Sequence, residues 1–199
     1  MVITDIVGED ENHPVYKELA RTNGIRHYNF LDSIISTSLT IRHYAVTEGL
    51  IKSLNYHAIA CLHKGAGEYR NVQVIVGNYT PPSHSQVPGR MNELVATANE
   101  VWEESDPIAL ASFVIWGINH IHPFVNGNGR TARAMGYFIL CMKLELKLGI
   151  HLPELIRTEY RSQYIDSLKE IDRMPSGRID VTPLADLIKR VIIEAINAN

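Results

Sequence analysis

The run from His120 to Arg133, His-Ile-His-Pro-Phe-Val-Asn-Gly-Asn-Gly-Arg-Thr-Ala-Arg, constrains this chain more than any other stretch. It separates two strongly apolar segments. Pro107 to Ile121 carries Ile108, Leu110, Phe113, Val114, Trp116 and Ile118, and Ala132 to Leu148 is again apolar at helical spacing, with Lys143 as the first charge past Arg133. Helices apolar on most sides lie at the centre of a core. A loop this polar between two of them must find partners, because buried polar groups are costly when unpaired.

The composition of the loop points to an anion. Gly127 and Gly129 permit positive φ, so the amides from Gly127 to Arg130 can curl into a nest. A helix starting near Asn128 adds its unpaired N–H groups and the positive end of its dipole. Arg130 and Arg133 share a helical face and can fork onto phosphate oxygens, and the Asn128 side-chain amide offers one more donor. An unperturbed imidazole titrates near neutrality, so His122 could take a proton from an attacking hydroxyl. Each part alone has a plainer explanation: a tight turn for the glycines, a solvated face for the arginines. His120 and His122 lack nearby Cys or well-spaced acids for a metal site, and the Walker spacing is missing. The conjunction is what carries the reading.

That conjunction resembles the Fic family pattern H-x-F-x-[D/E]-G-N-G-R-x-x-R, matched here from His122 to Arg133 at every fixed position but one. The resemblance implies an all-α Fic fold, a helical bundle with a small β-hairpin flap, that transfers AMP from ATP to a Ser, Thr or Tyr hydroxyl of a protein. By the same resemblance His122 is the general base and Phe124 anchors the loop in the core. Gly127, Asn128 and Gly129 hold the α-phosphate, and Arg130 and Arg133 the outer phosphates. The departure is Asn126, where the family has the acidic ligand of Mg²⁺. An amide brings no charge to the cation, so a slower enzyme, or one needing more Mg²⁺ or Mn²⁺, is expected.

Three further stretches extend the resemblance. Thr47-Glu48-Gly49 matches the end of the family's inhibitory helix, whose Glu pairs with the second motif arginine, although Tyr44 stands where Ser or Thr is expected. A surface Glu48 is the alternative. Gly65 to Pro82 alternates like strand, and Val74, Ile75 and Val76 would form a flap that docks the target as an added strand. In the run Tyr160 to Leu168, Tyr164 would line the adenine pocket, while Tyr160 replaces the family's Asn. The donor is therefore open between AMP and UMP, GMP, phosphate or phosphocholine transfer. A nucleotide-binding module without catalysis and a toxin held by an antitoxin are the other readings.

Across the chain, 199 residues suit one domain. The expected division is an N-terminal extension over 1–32 and a Fic domain over 33–195, with the first dozen residues loosely ordered. Helices are expected from Pro14 to Thr22, from Asn29 to about Leu62 with Ser36-Thr37-Ser38 as a cap or interruption and a break near Gly49, and from Asn92 to Glu104. Others are expected after the motif as far as Gly149, from Glu154 to Asp172, and from Pro183 to Ala195, with a turn at Pro175-Ser176-Gly177. A net charge of −3 argues against an electrostatic nucleic-acid binder. No segment reaches membrane-spanning length without charges, and no signal peptide is evident. Cys61 and Cys141 both lie in apolar contexts and read as core thiols of a cytosolic protein. The expected partners are a protein substrate, the chain itself as a target, and a second copy or an antitoxin.

Overall fold

A computed structural model describes residues 2–7, 10–42, 44–145, 147–174 and 179–198. Among these, nine α-helices follow in order: α1 (Ile3–Val7), α2 (Pro14–Ile41), α3 (Glu48–Ile59), α4 (Val87–Glu100), α5 (Pro107–Ile121), α6 (Asn128–Lys143), α7 (Leu152–Thr158), α8 (Arg161–Asp172) and α9 (Thr182–Asn197). A short 3₁₀ turn, His84–Gln86, leads into α4.

α5 and α6, the two apolar segments of the sequence, are the central pair. α5 starts where Asp106 caps it, accepting from the N–H groups of Ile108 and Ala109 at 2.9 Å each, with Pro107 in the first turn. The pair approaches closely at Gly136, where an added Cβ would come within 2.3 Å of Ile115 Cδ1. α2 and α3 pack beside α6, while α4, α8 and α9 pack against α5. Leu110, Ile115, Ile118, Met135, Phe138 and Ile139 are all essentially inaccessible. Both expected core helices are therefore core helices.

The hairpin flap is not seen. Residues 71–82 form a loop with a single antiparallel bridge, Val76 to Tyr79, closed by N–H···O bonds of 2.9 and 3.0 Å around Gly77. The ladder stops there because the next rung would pair Val74 with Pro81, and proline has no N–H to donate. Gln73 takes over part of that duty, donating from Nε2 to the carbonyls of Val74 and Pro81.

Several element boundaries also move. α2 runs unbroken through Ser36-Thr37-Ser38 and across residues 32 and 33. The Thr40 hydroxyl bonds to Ser36 O within the helix, while Leu31 and Ile35 hold its core face, so packing overrides local propensity. The break falls after Ile41, at Arg42 with φ 50°, and Gly49 lies inside the first turn of α3. α4 begins at Val87, five residues before the expected Asn92, and stops at Glu100. α6 stops at Lys143, short of Gly149. The stretch 154–172 is two helices, and the N-terminal dozen includes α1, tied to the body by Ile3 N–H to Cys61 O at 2.7 Å. Cys141 is buried, but Cys61 is exposed. The turn expected at 175–177 lies outside the described residues.

Candidate active site

The loop from His122 to Gly127 is the turn between the two central helices. His122 is the C-cap of α5 in the left-handed region, φ 52°, and Gly127 is the N-cap of α6 with φ 79°. At Gly127 a side chain is excluded on two counts: the positive φ, and an added Cβ 2.9 Å from both Asn55 Nδ2 and Ile59 Cγ2. No side chain caps α6, so its first N–H groups have neither intrahelical nor capping partners.

Buried side chains fix the turn. Asn128 is 2 % exposed, and its amide is spent inside the loop: Oδ1 accepts from Phe124 N–H at 2.9 Å and Nδ2 donates to Phe124 O at 2.8 Å. The expected side-chain donor to a ligand is therefore a staple, and residue 128 has its backbone N–H to offer. Asn55 of α3, fully buried, donates to Asn126 O at 2.9 Å and accepts from Gly67 N–H at 3.0 Å. Arg70, 3 % exposed, donates from Nε to His122 O at 2.8 Å and from Nη2 to Pro82 O at 2.5 Å, stitching the 71–82 loop to the turn. Phe124 is buried, as expected of an anchor, with the Tyr69 ring 5.6 Å away.

His122 is half-buried. Its Nδ1–H faces the Asn119 carbonyl at 3.4 Å, leaving Nε2 as the basic nitrogen. Burial first, and Arg70 second, hold its pKa below the ordinary histidine value against the opposing bond to Asn119. The ring is thus neutral at neutral pH, the state a general base requires.

Beside the turn lies a cleft of about 860 Å³ between α2, α6, α7 and α8, lined by Arg130, Arg133 and Tyr164 together with Glu11, Tyr16, His27, Tyr28, His151 and Arg157. Arg130 donates to Ala58 O at 2.8 Å, and Arg133 to Pro153 O at 3.2 Å. Each guanidinium's pKa is pushed down, chiefly by burial, with further lowering from Arg157 in both cases and from Arg133 in that of Arg130. Crowded, desolvated cations of this kind favour an anion between them.

His122 and the glycines of the turn are not on the cleft wall, but Asn119 connects the two. Its carbonyl faces His122 and its Nδ2 donates to Tyr164 Oη at 2.9 Å. A Cβ at Gly129 would meet Arg133 Nη1 at 3.2 Å and Asn119 Oδ1 at 3.9 Å, so the nest adjoins the arginine.

One expected site residue, Glu48, makes a different contact, and so does Tyr160, which replaces the family's Asn. Glu48 opens α3, and its carboxylate accepts from Tyr69 Oη at 2.8 Å, while Arg130 and Arg133 donate to Ala58 O and Pro153 O; no Glu48–Arg133 pair forms among the described residues. Tyr160 turns toward α9, where its hydroxyl bonds to Glu194. Of the flap residues, Ile75 is 72 % exposed and Val76 40 %. Sequence reasoning missed Asn55, Asn119, Glu11 and His27, single polar residues in helices or turns that match no motif. His27 is the most unusual: buried against the cleft, with no partner for Nε2, its pKa is pushed down to about 4 by burial and then by Arg130, His57 and Arg133.

Fold and turn together define a class: an all-α domain whose two central helices meet at an uncapped, glycine-turned N-terminus backed by a cationic cleft. The Fic/DOC family model matches residues 45–140. By that match and by its fold, the chain is similar to Fic-domain proteins. The protein adenylyltransferase Fic of Drosophila grimshawi is 36% identical over 109 residues, 52% of this chain and 20% of that protein. The Aedes aegypti protein of the same name is 33% identical over 109 residues, again 52% and 20%. The chain thus spans about a fifth of the length of these curated relatives. Among solved structures, a Fic-domain-containing signaling protein from Bacteroides thetaiotaomicron superposes with a TM-score of 0.70 at 23% identity, over 88% of this chain and 69% of that one. C. elegans Fic-1 (aa134–508) superposes with a TM-score of 0.66 at 26% identity, over 88% and 50%.

Proposed function

We propose that this domain transfers AMP from ATP to a protein hydroxyl, including one of its own. The observation that carries the proposal is the adjacency of a neutral, partly accessible His122 to an uncapped helix N-terminus whose next turn sends Arg130 and Arg133 into a cleft large enough for a nucleotide. The curated relatives called adenylyltransferases support the reaction class.

In this mechanism His122 Nε2 takes the proton of the target hydroxyl as its oxygen attacks the α-phosphorus. The bond from that phosphorus to the bridging oxygen breaks, and pyrophosphate leaves. The N–H groups of the first turn of α6 face the charge that grows on the α-phosphoryl oxygens, worth most in a desolvated site. Arg130 and Arg133 hold the outer phosphates. Mg²⁺, when bound with the nucleotide, would neutralise phosphate charge and assist departure of pyrophosphate. Asn126 stands where the family's Mg²⁺ ligand does, but its Oδ1 accepts from Gly127 N–H and Arg130 Nη2, so the cation would rest mainly on phosphate oxygens and water. The loop residues Val74, Ile75 and Val76 would offer backbone N–H and C=O groups to an extended target segment.

A second donor is favoured by one observation. Tyr160, at the position where the family's Asn contacts adenine, faces Glu194, leaving the stacked Tyr28 and His151 rings, 4.7 Å apart, at the cleft. Stacking of that kind accepts any base, so UMP or GMP transfer competes with AMP. Incubation with ATP, GTP, UTP and CTP in turn, followed by intact-mass measurement, decides between them. An added AMP mass that His122→Ala abolishes is expected. Binding without added mass from any nucleotide would reduce the domain to a sensor.

A further inference from the structure

The short turn before α2 brings one acidic side chain to the reactive loop. Glu11 Oε1 accepts from Asn126 Nδ2 at 3.0 Å, across 115 residues of sequence, and stands 3.7 Å from His63 Nε2. It also lines the cleft with Arg130 and Arg133.

Asn126 is the one position where the turn departs from the Fic pattern, and its amide is oriented. Oδ1 points back into the turn, accepting from Gly127 N–H at 2.6 Å and from Arg130 Nη2 at 3.4 Å. The residue therefore presents its nitrogen, a donor, where a carboxylate is expected, and that donor holds the carboxylate of Glu11. We infer that Glu11 replaces the missing acid: with a nucleotide in the cleft it ligates, directly or through water, the divalent cation carried on the phosphates.

This inference rests on the nucleotide reading above. Its physical basis is charge balance. A carboxylate at the edge of a site for a polyanion repels that polyanion unless a cation stands between them. Arg130 cannot neutralise both at full strength, because its guanidinium already serves Ala58 O and Asn126 Oδ1. One carboxylate suffices for Mg²⁺, which otherwise takes phosphate oxygens and water. The Glu11 side chain is 57% exposed, so its carboxylate is within reach of a solvent-borne cation.

The opposite role, a carboxylate that competes with phosphate for the same donors, predicts different behaviour. The full-length chain is titrated with α,β-methylene-ATP, which the site cannot split, in Mg²⁺ and in EDTA, using wild type, Glu11→Gln, and Glu11→Gln combined with Asn126→Asp. Bound Mn²⁺ is counted by electron paramagnetic resonance in the same samples. We expect Mg²⁺ to tighten wild-type binding by about tenfold. Glu11→Gln should remove most of that gain while binding in EDTA changes by less than about threefold. The double variant should recover both the gain and the Mn²⁺ signal. If Glu11→Gln tightens binding in both conditions, Glu11 is a competitor and the inference is overturned. An unchanged Mg²⁺ gain overturns it equally, leaving the nucleotide site standing. If wild type binds the analogue under neither condition, the nucleotide site itself falls, and Glu11's role with it.

Discussion

At the scale of single residues, the site depends on amides that touch no ligand. Asn128 closes the turn through both backbone groups of Phe124, and none of these atoms can reach water. Asn128→Ala leaves a buried N–H and a buried carbonyl unpaired, and a loss of about 2–4 kcal/mol in denaturant unfolding is expected. A stability equal to wild type would show that Asn55 and Arg70 hold the turn without this bond pair. His27 gives a second residue-scale test. Its folded pKa of about 4 lies below the ordinary 6.5, so the unfolded chain binds the proton more readily. Its contribution is therefore undiminished above pH 6.5 and is lost as pH falls toward 4, amounting to about 2 kcal/mol by pH 5. His27→Gln should flatten the fall in unfolding free energy between pH 7 and 5 by that amount. An unaltered slope would place the responsible group elsewhere.

At the scale of elements, two glycines in helices have opposite roles. Gly136 sits where α6 meets α5, and a methyl there would run into Ile115 Cδ1 at 2.3 Å and Cγ1 at 2.5 Å. Gly89, in the first turns of α4, has nothing within 4 Å of an added Cβ. Gly136→Ala should destabilise by about 1–3 kcal/mol through overpacking, while Gly89→Ala should stabilise by about 0.5–1 kcal/mol through a less free unfolded chain. Equal thermal shifts would mean that α5 and α6 have slack at their closest approach. The same scale separates what was legible in the sequence from what was not. The central pair was readable because Pro107 to Ile121 and Ala132 to Lys143 carry almost no charge, and the turn because its residue types are restricted one by one. The flap's alternation of Val72, Val74 and Val76 read as strand, but a ladder needs donors on both sides and Pro81 has none. For α2 the sequence predicts one helix to Thr22 and another from Asn29, with Ser36 to Ser38 a local cap signal inside the second, whereas its continuity is set by Leu31 and Ile35 packing on distant elements. Glu11 at Asn126 and His27 at the cleft are pairings across the fold, and no local pattern records them.

At the scale of the whole molecule, the cleft joins parts of the chain that are distant in sequence. Its walls come from α2, from the start of α6, and from α7 and α8, with Arg133 donating to Pro153 O and lying over the Tyr164 ring at 5.7 Å from its centre. A polyanion bound there would draw together Arg130 and Arg133 of α6 and Arg157 of α7, which now repel one another, so binding and global stability should rise together. At a nucleotide concentration of about a hundred times the dissociation constant, linkage gives about 2.7 kcal/mol. For a domain of this size that corresponds to a rise in melting temperature of about 5–10 °C. His122 is not on the cleft wall, so His122→Ala should keep this shift with ATP while losing transfer. Arg133→Ala should lose both. The pair of variants separates binding from chemistry in one thermal-shift experiment. A shift that survives Arg133→Ala would place the phosphates outside the cleft, and one abolished by His122→Ala would make the imidazole a binding group rather than a base.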